Sequence, residues 1–150
     1  MAIVTIAQVL ACAEEFERML SEFYAKISRQ TTREGVRLLS DYMGRHRQRT
    51  QNALEKLDAE AIQRIYKVPL RYEPHAADCR CFEGVYLPPD AGASQILDAA
   101  VRFDECLVRL YRQVLGQDVD NEVKELFESL IRWEQDDEIE LKKIKAMDYF

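Results

Sequence analysis

The sequence predicts an all-α fold, a four-helix bundle made of two antiparallel helical hairpins. Three observations carry that reading. Helix breakers are scarce, with 5 Gly and 4 Pro in 150 residues, and all the prolines fall between Pro69 and Gly92. Apolar residues recur at i, i+3, i+4 and i+7 along four segments, the spacing of one helical face. The first half also recurs in the second. At an offset of 87, 50 ungapped positions hold 13 identities, where ordinary residue usage gives about three or four.

Taken in order, helix 1 (about 5–28) carries Ile6, Leu10, Ala13, Leu20, Tyr24 and Ile27 on one stripe. Helix 2 (about 33–66) carries Val36, Leu39, Met43, Leu54, Leu57 and Ala61. A short link at 29–32 makes the two antiparallel, giving a hairpin over 5–66. Helix 3 (about 93–115) carries Ile96, Ala100, Leu107, Tyr111 and Val114, and helix 4 (about 120–146) carries Val123, Leu126, Leu130, Leu141 and Ile144. With the link at 116–119 they form a second hairpin, over 93–146. The segment 67–92 is long enough to run back along the bundle as a crossover that joins the hairpins in the same orientation, a ferritin-like connectivity.

Composition narrows the function classes. Hydrophobic residues make up 47% of the chain, so a single domain over 1–150 can hold a core without staples. Lys and Arg number 21 against 27 Asp and Glu, interspersed and with no basic patch, which argues against nucleic acid as a partner. No apolar run reaches the ~20 residues of a membrane span. The first basic residue is Arg18, so the apolar start reads as helix rather than a secretory leader. Cys12, Cys79, Cys81 and Cys106 are then expected as thiols in a reducing cytoplasm, with Cys12 and Cys106 as small core residues.

Ionisable residues interrupt the stripes. Glu17 sits between Ala13 and Leu20, Asp104 between Ala100 and Leu107, and Glu134 and Asp137 between Leu130 and Leu141. At the equivalent places of helix 2 stand Arg47 and Thr50, between Met43 and Leu54. Five charges are therefore expected at one level of the core.

With its repeated hairpins, crossover and interrupted stripes, the chain from about Ile6 to Ile144 resembles a rubrerythrin-type member of the ferritin-like superfamily. The phrasing of Ala13 to Tyr24, its echo Ala100 to Tyr111, and Val123 to Leu130 leading to Glu134 is also similar. That family carries Glu on helices 1 and 3 and Glu-x-x-His on helices 2 and 4, which together hold two iron or manganese ions. The resemblance implies that Glu17, Asp104 and Glu134 stand at ligand positions. Asp137 stands where helix 4 has its His, and Arg47 and Thr50 where helix 2 has its Glu and His. His46 lies about 100° round the helix from Arg47 and is not expected to replace them.

A guanidinium at a metal-bridging position suggests a salt-bridged core in which Arg47 binds Glu17 and Glu134. Four carboxylates and one Arg leave a formal −3, so protons, solvent or one hard divalent ion must offset the rest. A single Mg, Mn, Ca or Fe ion on Asp104, Glu134 and Asp137 is the alternative cofactor reading to none. In the crossover, His75, Cys79 and Cys81 offer a loop metal site, a redox thiol pair or plain thiols. Tyr24 and Tyr111 are expected as core aromatics whose hydroxyls meet a carboxylate or a backbone carbonyl. The acid-rich run from Glu134 to Glu140 reads mostly as a solvated face.

The expected function is a rubrerythrin-like protein with a decayed di-metal site, acting as a non-catalytic binding or assembly module. It is expected as a homodimer with an unidentified protein partner. The alternatives are a metal-binding oxidoreductase or iron-binding protein with an atypical carboxylate site, and a thiol or metal module in the loop.

Overall fold

A computed structural model describes residues 5–55, 65, 69–70, 87–88 and 90–147. Four helices are described: α1 (Ile6–Gln30), α2 (Glu34–Glu55), α3 (Ala93–Leu115) and α4 (Asn121–Met147). The boundaries fall within about two residues of those expected, except that helix 2 beyond Glu55 lies outside the described residues apart from Ile65, which is helical and buried. The expected crossover at 67–92 also falls largely outside them.

Three helix starts and one helix end have a local reason. Thr5 caps α1: its hydroxyl accepts from the Gln8 amide at 3.4 Å, and the Gln8 side chain accepts from the Thr5 amide at 2.8 Å. Gln95 reaches back to the Gly92 amide at the start of α3 in the same way, at 3.0 Å. Gln8 and Gln95 are among the residues that recur at the offset of 87, and the shared cap gives that recurrence a physical reason. Asp120 caps α4 by accepting from the Val123 amide at 3.0 Å. The end of α1 is closed by Arg37, which donates to the Thr31 carbonyl at 3.1 Å and the Ser28 carbonyl at 3.4 Å, using a cation against the negative end of the helix dipole.

The helices pack in antiparallel pairs. Along α1 and α2, Ser28 meets Asp41 near the link and Glu17 meets Arg47 further away. Along α3 and α4, Tyr111 stacks edge-on to Phe127 near the link, and Lys145 pairs with Asp98 at the far end. The two pairs close on each other through Phe103, whose ring lies 6.2 Å from Phe16 and 5.5 Å from Phe23, both edge-to-face. Ile6, Val9, Ala13, Leu20, Leu39, Ile96, Ala100, Leu107, Val123 and Leu141 fill the core around these rings. Burying such side chains stabilises the fold by roughly 1.5–3 kcal/mol each for the larger ones. No described helix is long and apolar enough to cross a membrane.

The cysteines depart from expectation. Cys12 keeps a thiol, whereas Cys106 is in a disulfide whose partner lies outside the described residues. An amphipathic pattern reports that a cysteine faces inward; whether a second sulfur stands beside it depends on chain distant in sequence.

Candidate functional site: a guanidinium among four carboxylates

One residue from each of α1, α2 and α3 and two from α4 meet inside the bundle. Glu17, Arg47, Asp104 and Glu134 are buried, and Asp137 is 11% exposed. Each occupies a stripe position where the helical period would place an apolar residue, so the helices deliver all five to the same level.

Arg47 is the hub. Its Nη1 donates to Glu17 Oε1 and Oε2 at 3.2 and 3.3 Å and to Glu134 Oε2 at 3.1 Å. Its Nη2 donates to Asp104 Oδ1 and lies 3.6 Å from Asp137 Oδ2. The planar fork thus touches all four helices, which a compact ammonium could not do from one position. Burial opposes its charge, but Glu17, Asp104 and Glu134 outweigh that penalty and hold the proton on more firmly than usual.

The carboxyls divide into two kinds. Burial pushes Glu17 well above the ordinary carboxylate range, and the neighbouring Glu134 adds to the rise against the pull of Arg47. Burial likewise pushes Asp104 well up, helped by Asp137 and Glu134. Asp137 goes the other way: burial would raise it, but His46, Asp104 and Arg47 together lower it to about 2. Glu17 and Asp104 therefore hold a proton more tightly than ordinary carboxyls and Asp137 less tightly, which offsets part of the formal excess of negative charge. Sharing a proton between Asp104 and Asp137 relieves two carboxyls that face each other.

Two neighbours, His46 and Tyr24, differ from expectation, and Thr50 does not. His46 is a partner of Asp137, with Nε2 2.9 Å from Asp137 Oδ1, off the line of a good hydrogen bond. It lies outside the apolar stripe, yet α2 and α4 stand far enough apart for an imidazole to fit between them. Tyr24 is buried as expected, but its hydroxyl finds neither carboxylate nor carbonyl among the described residues. Thr50 is buried and donates to the His46 carbonyl at 3.1 Å, which stabilises its own helix and offers nothing to the cluster. Burial also pushes the Tyr24 and Tyr111 phenols upward, so both stay protonated.

The residues present do not fit two metal ions. A fixed cation stands where the carboxylates converge, and Thr50 on the same helix turns its hydroxyl to its own backbone. A single ion has a better case. Asp104, Glu134 and Asp137 each bring one oxygen within 4.8 Å of the others, and Asp104 Oδ2 is buried with no donor other than a proton shared with Asp137 among the described residues. His75, Cys79 and Cys81 lie outside the described residues.

Compared with protein-family models, curated proteins and solved structures, the chain has no match in any of the three.

Proposed function

We propose that this protein is a rubrerythrin-like member of the ferritin-like superfamily in which Arg47 takes the place of the two metal ions, leaving a non-catalytic binding or assembly module that works as a homodimer. The observation that supports this reading is the guanidinium bonded to Glu17, Asp104 and Glu134 at once. In a di-metal bundle the cations hold four helices together through their carboxylates. Here one delocalised cation does the same mechanical work without an open coordination position or a redox couple. Exposed Leu38 on α2 and Ile139 on α4 offer apolar surface for a second copy.

A second reading is favoured by the Asp104, Glu134 and Asp137 grouping: one hard divalent ion, Mg, Mn, Ca or Fe, held by oxygen, as in an iron-binding protein or a metal-dependent oxidoreductase.

Metal content separates the two. Protein purified without chelators or affinity metals, measured before and after anaerobic Fe(II) loading, is expected to hold no stoichiometric metal. Two irons per chain would overturn the replacement by Arg47, and one hard ion per chain would establish the second reading. The double substitution Arg47→Glu, Thr50→His restores the family's helix 2 motif and should bind iron, with folding that depends on the metal. A folded double variant that takes up none would show that the positional match is wrong. Light scattering tests the dimer.

A further inference from the structure

Outside the charge cluster, α2 and α4 leave between them an open groove of about 550 Å³. Tyr42 and His46, one turn apart, line it from α2. From α4 come Ser129, Arg132, Trp133, Asp136, Asp137 and Glu140, spaced along one helical face. The volume is that of a small-molecule site and is small for a packed helix.

Its lining has two unusual parts. Tyr42 and Trp133 are 43% and 42% exposed, two large aromatic side chains left in water on one groove. The charges are unbalanced: three carboxylates face one guanidinium, and Arg132 donates to Ser129 of its own helix at 3.2 Å. Asp136 and Glu140 form no ion pair among the described residues, whereas Asp137, 11% exposed, already has Oδ1 against His46 and Oδ2 against Arg47. Two exposed aromatic side chains beside carboxylates without ion pairs suit an organic cation, offering apolar surface to its alkyl part and opposite charge to its ammonium. The same carboxylates repel an anion.

We infer that this groove is a binding site for a small organic ammonium ion, whose alkyl part lies against Trp133 and Tyr42 and whose charge is met by Asp136 and Glu140. His46, set between the groove and Asp137, forms its inner wall. The site goes beyond the replacement of metal by Arg47 and does not depend on it. A failure here leaves the metal measurement untouched, and the reverse also holds.

Trp133 is the single tryptophan of the chain, so its fluorescence reports on this groove alone. Titration with 1,4-diaminobutane at constant ionic strength should give a saturable change, while 1,4-butanediol and succinate, its neutral and anionic counterparts, should give none. The double variant Asp136→Asn, Glu140→Gln, folded by circular dichroism, should bind about tenfold more weakly. Tyr42→Ala should weaken binding about threefold. A response reproduced by NaCl, a response to the diol of equal size, or unchanged affinity in the double variant would overturn the site. So would a Trp133 signal that depends on protein concentration without added amine, because the groove would then be covered by a second copy.

Discussion

At the level of Arg47 the α1–α2 pair contributes one carboxylate, Glu17, and one guanidinium, whereas the α3–α4 pair contributes Asp104, Glu134 and Asp137 and no cation. In the sequence these are matching positions: Glu17 with Asp104, Arg47 with Glu134, Thr50 with Asp137, each 87 residues apart. One half is formally neutral and the other formally −3. Two matching positions make the difference, Arg47 for Glu134 and Thr50 for Asp137, and the cation of one half meets the acids of the other. Neither helix pair can bury its charges well by itself, so the core favours the assembled bundle over either pair alone.

The comparison is broken most severely by removing the cation. Arg47→Leu leaves four acids without their partner, and stability in urea should fall by about 3–5 kcal/mol. An unchanged unfolding curve would mean that the acids are neutral already and that Arg47 merely fills space. Exchanging the partners, as Arg47→Glu with Glu134→Arg, moves the cation to the other half while keeping the count. This double variant should recover more than half of the loss seen with Arg47→Leu, as a double-mutant cycle would register.

Acidity sharpens the difference between the carboxyls. Glu17 and Asp104 bind protons more tightly folded than unfolded, so their contribution to stability declines as pH rises above their unfolded values near 4.5 and 3.8. Asp137 has the opposite sign: its contribution is complete above about 3.8 and is lost as pH falls towards about 2. From these three residues, stability should peak in mild acid and decline towards neutrality. Glu17→Gln, which mimics the protonated form, should flatten the decline above the unfolded value near 4.5 in melting curves. A variant that declines as steeply as the parent would remove Glu17 as a source.

The smallest effect is expected at Arg18, which also holds two carboxylates, Glu15 and Glu22, but on the surface of α1, with 44% of its side chain exposed. Water screens those pairs, and Arg18→Ala should leave the melting temperature within error of the parent. Similar partners with such different consequences show that burial, more than the number of contacts, sets the importance of Arg47.

Much of the cluster was legible because charges on an apolar stripe stand out against the helical period. Glu17, Arg47, Asp104, Glu134 and Asp137 each interrupt such a stripe, and each points inward. His46 was not legible as a partner of Asp137. It sits beside the stripe, and only the separation of α2 from α4 brings it to 2.9 Å. The groove had no sequence signal either: Tyr42 and Trp133 lie 91 residues apart, and exposed aromatics look like core aromatics in a helical pattern.

The sequence by itself determined four described helices, their caps and the faces they bury, because these follow from backbone hydrogen bonding and a period of 3.6 residues that act over a few neighbours. It also determined which charges would be carried inward. The sequence already pointed Arg47 at Glu17 and Glu134; the tertiary structure alone decided that it also bonds to Asp104, that Glu17 and Asp104 are pushed up while Asp137 is pulled down, and that a groove opens beside His46. Those outcomes depend on distances of 3–4 Å between helices and on how much water each group loses, and neither quantity exists until the helices have packed.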